Sequence, residues 1–147
     1  MKALLSQEVT KHIEHFAERC LNYCLKNKIR IDIPGNVHED WEGIMGKSLD
    51  AKRNKIPKGS SIYMLFGSEG QMLYVGKSNN TYTRLRNHLV KKSNRTNSKF
   101  SEFIKYVDEG NRSIFFAAIA IKPKGLNAFC EIYLQENHSF SWVHRKG

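Results

Sequence analysis

The chain has 147 residues, and 24 Lys plus Arg stand against 14 Asp plus Glu, a formal net charge of +10 at pH 7. That length allows one domain with a small appendage and leaves no room for two full cores. A hydrophobic share of 40% argues against wholesale disorder, no apolar run approaches the roughly 18 residues of a membrane span, and Met1–Ser6 is too poor in apolar residues for a signal-peptide core. The charge excess points to a polyanionic partner, either nucleic acid or an anionic membrane surface, without choosing between them. Cys20, Cys24 and Cys130 cannot all pair within one chain, which fits a reducing compartment and a soluble cytoplasmic protein.

Taken in chain order, Ser6 to about Lys28 predicts an amphipathic helix. Val9, Ile13, Phe16, Cys20 and Cys24 recur at steps of three and four, and Ala17 and Leu21 widen the stripe. Ser6 suits the N-cap, with Glu8 in the first turn and Lys26 and Lys28 in the last. Cys20 and Cys24 with His12 and His15 could suggest zinc, but no second ligand pair follows, and core packing is the better reading. Ile29–Ile33 alternates like a short strand and is closed by Pro34-Gly35. Residues 36–59 are polar and irregular and read as a connector or a short helix. The pattern sharpens at Ser61–Phe66, a strand that turns through Gly67-Ser68-Glu69-Gly70 into Met72–Gly76 as a β-hairpin. Helices follow over 80–92, with Tyr82, Leu85, His88 and Leu89 on one face, and over 98–109, with Phe100, Phe103, Ile104 and Val107 inward. Ser113–Ile121 reads as a buried strand, and residues 126–137 as a last helix.

The order β-β-α-α-β-α predicts an α+β fold: a small central antiparallel sheet of about three strands flanked by helices, with an N-terminal helical extension. On this reading residues 1–59 are the extension and connector and residues 60–147 the core. The chemistry concentrates in residues 61–89. Tyr63 and Tyr74 fall on paired strands, and Lys77, Arg84 and His88 on the following turn and helix. Arg84 and His88, four apart, share a helix face. From Glu69 to Glu102 there is no carboxylate, while Lys77, Arg84, Arg86, Lys91, Lys92, Arg95 and Lys99 are all basic. Such a surface suits the grip of a phosphate backbone.

This stretch resembles the GIY-YIG nuclease superfamily. Ser61-Ile62-Tyr63 stands where the first triplet is expected, with serine in place of glycine, and Tyr74-Val75-Gly76 stands where the second is expected. Arg84 falls ten residues after Tyr74, as the family's catalytic arginine does. His88 takes a position where relatives carry histidine or tyrosine. Glu131, in the last helix, matches the family's metal-binding glutamate. The resemblance spans roughly residues 60–138. One departure is that the family's asparagine, about a dozen residues past the glutamate, has no counterpart; Asn137 lies too close to Glu131 for that role.

The resemblance implies a metal-dependent endonuclease acting on DNA. Tyr63, Tyr74, Arg84, His88 and Glu131 would form the catalytic set, and Lys77, Arg86, Lys91, Lys92 and Arg95 the substrate grip. Glu131 offers one hard oxygen ligand, which suits Mg²⁺ (or Mn²⁺) that keeps several waters. Arg84 can hold two phosphate oxygens and stays charged. Tyr63 in the family is the general base, and a free tyrosine with a pKa of ~10 needs a nearby cation to serve so. An inactive nucleic-acid-binding protein and an RNA-directed nuclease are the alternatives. A membrane partner is not expected, because no helix pairs a lysine-rich face with a large apolar one. A homodimer stays open.

Overall fold

In chain order the described elements are α1 (Gln7–Lys26), β1 (Ile29–Asp32), α2 (Trp41–Asp50), a 3₁₀ turn (Arg53–Lys55), β2 (Ser61–Phe66), β3 (Met72–Ser78), α3 (Thr81–Leu89), α4 (Ser98–Asp108), β4 (Ser113–Ala120) and α5 (Leu126–Asn137). The structure is a computed structural model and describes residues 7–35, 40–91 and 98–142. Ser6, the expected N-cap, lies outside the described residues. So do Lys92 and Arg95, and with them the side chain of Lys99.

The strands form one antiparallel sheet in the order β1-β4-β2-β3. All six residues of β2 are buried, and the apolar run from Ile62 to Phe66 suits a strand covered on both faces. Period-2 alternation then sorts its side chains. Ile62, Met64 and Phe66 face α1 and α5, where they meet Ala17, Cys20, Leu21, Cys24, Cys130 and Leu134. Tyr63 and Leu65 face the other way, into a core with Trp41, Met45, Leu49, Leu85, Leu89, Phe103 and Phe116. The expected α+β architecture is therefore present, with a fourth strand. It is β1, the short alternating run, which pairs with β4 from Ile29↔Phe116 to Asp32↔Ser113.

Residues 7–59 supply elements to both faces. The connector contains a ten-residue helix, α2, whose buried Trp41, Met45 and Leu49 recur every fourth residue. Two glycines and four polar residues dilute that stripe in the sequence. In α1 the stripe is shorter than its periodicity suggests, since Val9 is 43% exposed and the contact with the sheet begins further along. All three cysteines are buried and free. Among the described residues no helix is long and apolar enough to cross a membrane.

Trp41 joins α2 to the rest. It is fully buried, its Nε1 donates to the Leu89 carbonyl at 3.0 Å, and its ring lies 5.6 Å from that of Phe103. Trp41→Ala should destabilise the protein by about 3–5 kcal/mol in urea unfolding. A loss below about 1 kcal/mol would mean that α2 does not belong to the core.

Candidate active site

The site begins with a cross-strand pair. Tyr63 of β2 stands opposite Gly76 of β3, and Leu65 stands opposite Tyr74, so both tyrosines share one sheet face. The Tyr63 ring crosses directly over Gly76. A Cβ at that position would lie 2.5 Å from Tyr63 Cζ and 2.6 Å from its hydroxyl oxygen. Only glycine fits there, which gives a physical reason for the last residue of the second triplet.

Helix α3 lies across these rings. It starts two residues after β3, with Asn80 as its N-cap accepting from the Thr83 N–H at 3.2 Å. Ser61, the residue standing in place of the family's glycine, ties the helix down. Its hydroxyl bonds that of Thr81, the first residue of α3. On this anchored helix His88 is fully buried. Its Nε2 lies 3.1 Å from the Tyr63 hydroxyl, and its ring meets Tyr74 edge-on at 4.5 Å. Arg84, one turn earlier, is exposed.

Glu131 arrives from the opposite layer. Its helix, α5, packs with α1 on the far side of the sheet. Because β3 is an edge strand, part of its backbone turns away from β2, and Glu131 Oε2 accepts from the Lys77 N–H at 2.9 Å. The chain after α5 covers the start of the same edge. The N–H groups of Ser141 and Trp142 donate to the carbonyls of Met72 and Leu73 at 3.1 and 2.8 Å. Trp142 then inserts beside His88 at 6.4 Å between ring centres. It stands eleven residues past Glu131, where the family's asparagine was expected. Asn137 is exposed and donates to the Tyr133 carbonyl of its own helix.

Electrostatics at the tyrosines reflect this arrangement. Burial pushes Tyr63 well above the usual tyrosine range; the neighbouring Tyr74 and the Glu131 carboxylate push the same way, and only Arg84 opposes them. Tyr74 is also raised, first by burial and then by Glu131, while its hydrogen bond with Tyr63 and the charge of Arg84 pull it down. Arg84 and Glu131 thus act on both hydroxyls. The protein alone keeps Tyr63 protonated, the reverse of what a tyrosine base needs.

Among the expected grip residues, Lys77 and Lys91 are exposed. Arg86 is half-buried and turns towards α2: its Nη1 donates to the Tyr82 hydroxyl at 3.2 Å and lies 3.4 Å from the place a Gly46 Cβ would occupy. Among the described residues no cluster of three or more His, Cys, Asp or Glu side chains could hold a metal. The donor set among the described residues is one carboxylate, Glu131, near two phenol oxygens. It fits a hard ion that retains water and takes a substrate phosphate, and not a closed structural zinc site. Sequence reasoning missed Gly76, Trp142 and Ser61 as parts of the site. Only the two triplets carried a signal for the first and last of these, and nothing local marks Trp142.

Gly76→Ala should displace Tyr63 from His88 and cost about 1–3 kcal/mol of stability through overpacking. Imidazole NMR shifts of His88 that match wild type would refute that contact. The raised Tyr63 value also fixes a pH dependence. Its stabilising contribution is complete below the unfolded tyrosine value of ~10 and is lost as pH rises from there through the folded value. Alkaline titration should therefore show a tyrosinate that forms only on unfolding, and the Tyr63→Phe protein should lack it.

A search of the curated proteins and one of the solved structures gave no significant match. The family model described as the GIY-YIG catalytic domain matches residues 59–142, more than half of the chain. It covers the hairpin, α3 and α5 together, and so takes in every residue of the site built above. The chain belongs to the GIY-YIG family.

Proposed function

We propose that the protein is a metal-dependent endonuclease that hydrolyses phosphodiester bonds in DNA. The observation that carries this reading is the convergence of Tyr63, Tyr74, His88, Arg84 and Glu131 on the β2–β3 hairpin, beside the exposed Lys77. These groups come from two strands and two helices on opposite sheet faces. A structural ion pair would not require that gathering of hydroxyl, imidazole, guanidinium and carboxylate.

Arg84 would hold two oxygens of the scissile phosphate and balance the charge that grows there, with Lys77 beside it. Glu131 would hold Mg²⁺ or Mn²⁺, the other positions being left to water and phosphate. When bound, that ion supplies Lewis-acid stabilisation of charge on the phosphoryl and leaving oxygens. The buried hydroxyl of Tyr63 need not ionise beforehand. As it takes a proton from the attacking water, its own proton can pass to His88 Nε2, 3.1 Å away, so that the site never carries an isolated tyrosinate. Tyr74, edge-on to His88, would hold the imidazole in that orientation.

One observation favours a second reading, a protein that binds nucleic acid without turnover: Tyr63 is buried and firmly protonated. Plasmid cleavage separates the two. Glu131→Gln keeps an acceptor for the Lys77 N–H and removes the charge, and it should reduce cleavage with Mg²⁺ by about 100-fold or more, as should Arg84→Ala. Salt-sensitive binding by wild type without cleavage under Mg²⁺ or Mn²⁺ would establish the second reading instead. RNA of the same sequence, run alongside, tests the choice of DNA.

A further inference from the structure

Between the 3₁₀ turn and the start of α3 lies a cleft of about 280 Å³, lined by Arg53, Lys58, Asn79, Asn80 and Tyr82 among others. That volume holds roughly nine waters, enough for a phosphate group and part of its hydration. The cleft does not include the tyrosine–histidine site, yet the chain joins them. Lys77 and Ser78 end β3 beside Glu131, and the next two residues line the cleft.

Its cations come from outside the hairpin. The Arg53 guanidinium sits 3.9 Å from the centre of the Tyr82 ring. This cation–π contact holds the guanidinium against the ring and leaves it charged. Lys58, on the same connector, is exposed. Among the described residues neither of them forms an ion pair with a carboxylate. The carboxylate tied to this cluster, Asp50, is engaged by the Tyr82 hydroxyl, which also accepts from Arg86.

We infer that this cleft holds a backbone phosphate of the bound strand away from the bond being cut, with Arg53 and Lys58 as its cations and Asn79 as a neutral donor. A phosphate contact positions the strand without reading its sequence, so the connector before β2 would set where the scissile bond falls against Arg84. The inference rests on the nucleic-acid reading of the site. It assigns to residues 53–58 a grip that the seven basic residues after Glu69 do not provide.

The test is anisotropy of labelled duplex DNA with the full chain, without divalent metal, at a series of KCl concentrations. The Arg53→Gln, Lys58→Gln double variant should bind roughly tenfold more weakly at low salt. Its plot of log K against log salt should be shallower by about 0.9, the loss of one phosphate contact. A melting temperature equal to wild type with an unchanged slope would overturn the inference. Should the double variant melt early, Lys58→Gln alone, which leaves the Arg53–Tyr82 contact in place, decides by whether the slope falls at all. A wild-type protein that shows no salt-sensitive binding at all would overturn the nucleic-acid reading itself, an outcome distinct from failure of the cleft.

Discussion

The Tyr63 ring lies so close over Gly76 that no side chain could stand between them, and much of the site follows from this contact. The two residues are partners across β2 and β3, so the contact is also a register lock. A slip by one residue would bring Val75 or Lys77 under the ring and turn the side chains of β3 to the wrong face relative to β2. With the register held, Tyr74 shares the face of Tyr63, and α3, following β3 after two residues, lays His88 across both. The Ser61–Thr81 hydroxyl pair and the Asn80 cap hold the beginning of that helix, and the burial of Leu85 and Leu89 holds the rest.

The outer edge of β3 is the second constraint. An unpaired edge exposes backbone donors and acceptors that invite another chain, and here two segments of the C-terminal region cover it. Ser141 and Trp142 take the carbonyls at its start, and Glu131 takes the Lys77 N–H near its end. The same hydrogen bond that quiets the edge brings a carboxylate from the far layer round to the tyrosines. Its charge then adds to burial in keeping both phenols protonated. Such a site gains from an arginine that is exposed and permanently charged, because Arg84 opposes that trend at both phenols and is the one group that does so at Tyr63.

The elements before the hairpin divide between the layers. Helix α1 packs with α5, where Glu18 accepts from Tyr133 and pairs with His138 at 2.8 and 2.7 Å, and so steadies the helix that carries Glu131. Helix α2 packs with α3 through Trp41 and through Gly46, whose missing side chain admits the Arg86 guanidinium. Both partner helices of the site are thus backed, α5 by α1 and α3 by α2. The excess of positive charge is correspondingly spread, with Lys77 and Arg84 at the site and Arg53 and Lys58 beside the cleft.

By itself the sequence determined the hairpin, the order of the helices and strands, and the two tyrosine triplets with Arg84 and Glu131 at family spacing. Those features are local: alternation marks a strand, four-residue steps mark a helix, and a motif is a matter of counting. It left α2 as one of two readings, a connector or a short helix, because glycines and polar residues dilute the stripe of Trp41, Met45 and Leu49. The tertiary structure decided the rest. That Glu131 reaches the tyrosines from the opposite layer depends on which strand is the edge, and strand order is written in no single segment. That Tyr63 stays protonated depends on how fully α3 covers it. That Trp142 fills the place beside His88 depends on where the chain goes after α5, a long-range outcome of packing that no spacing along the chain records.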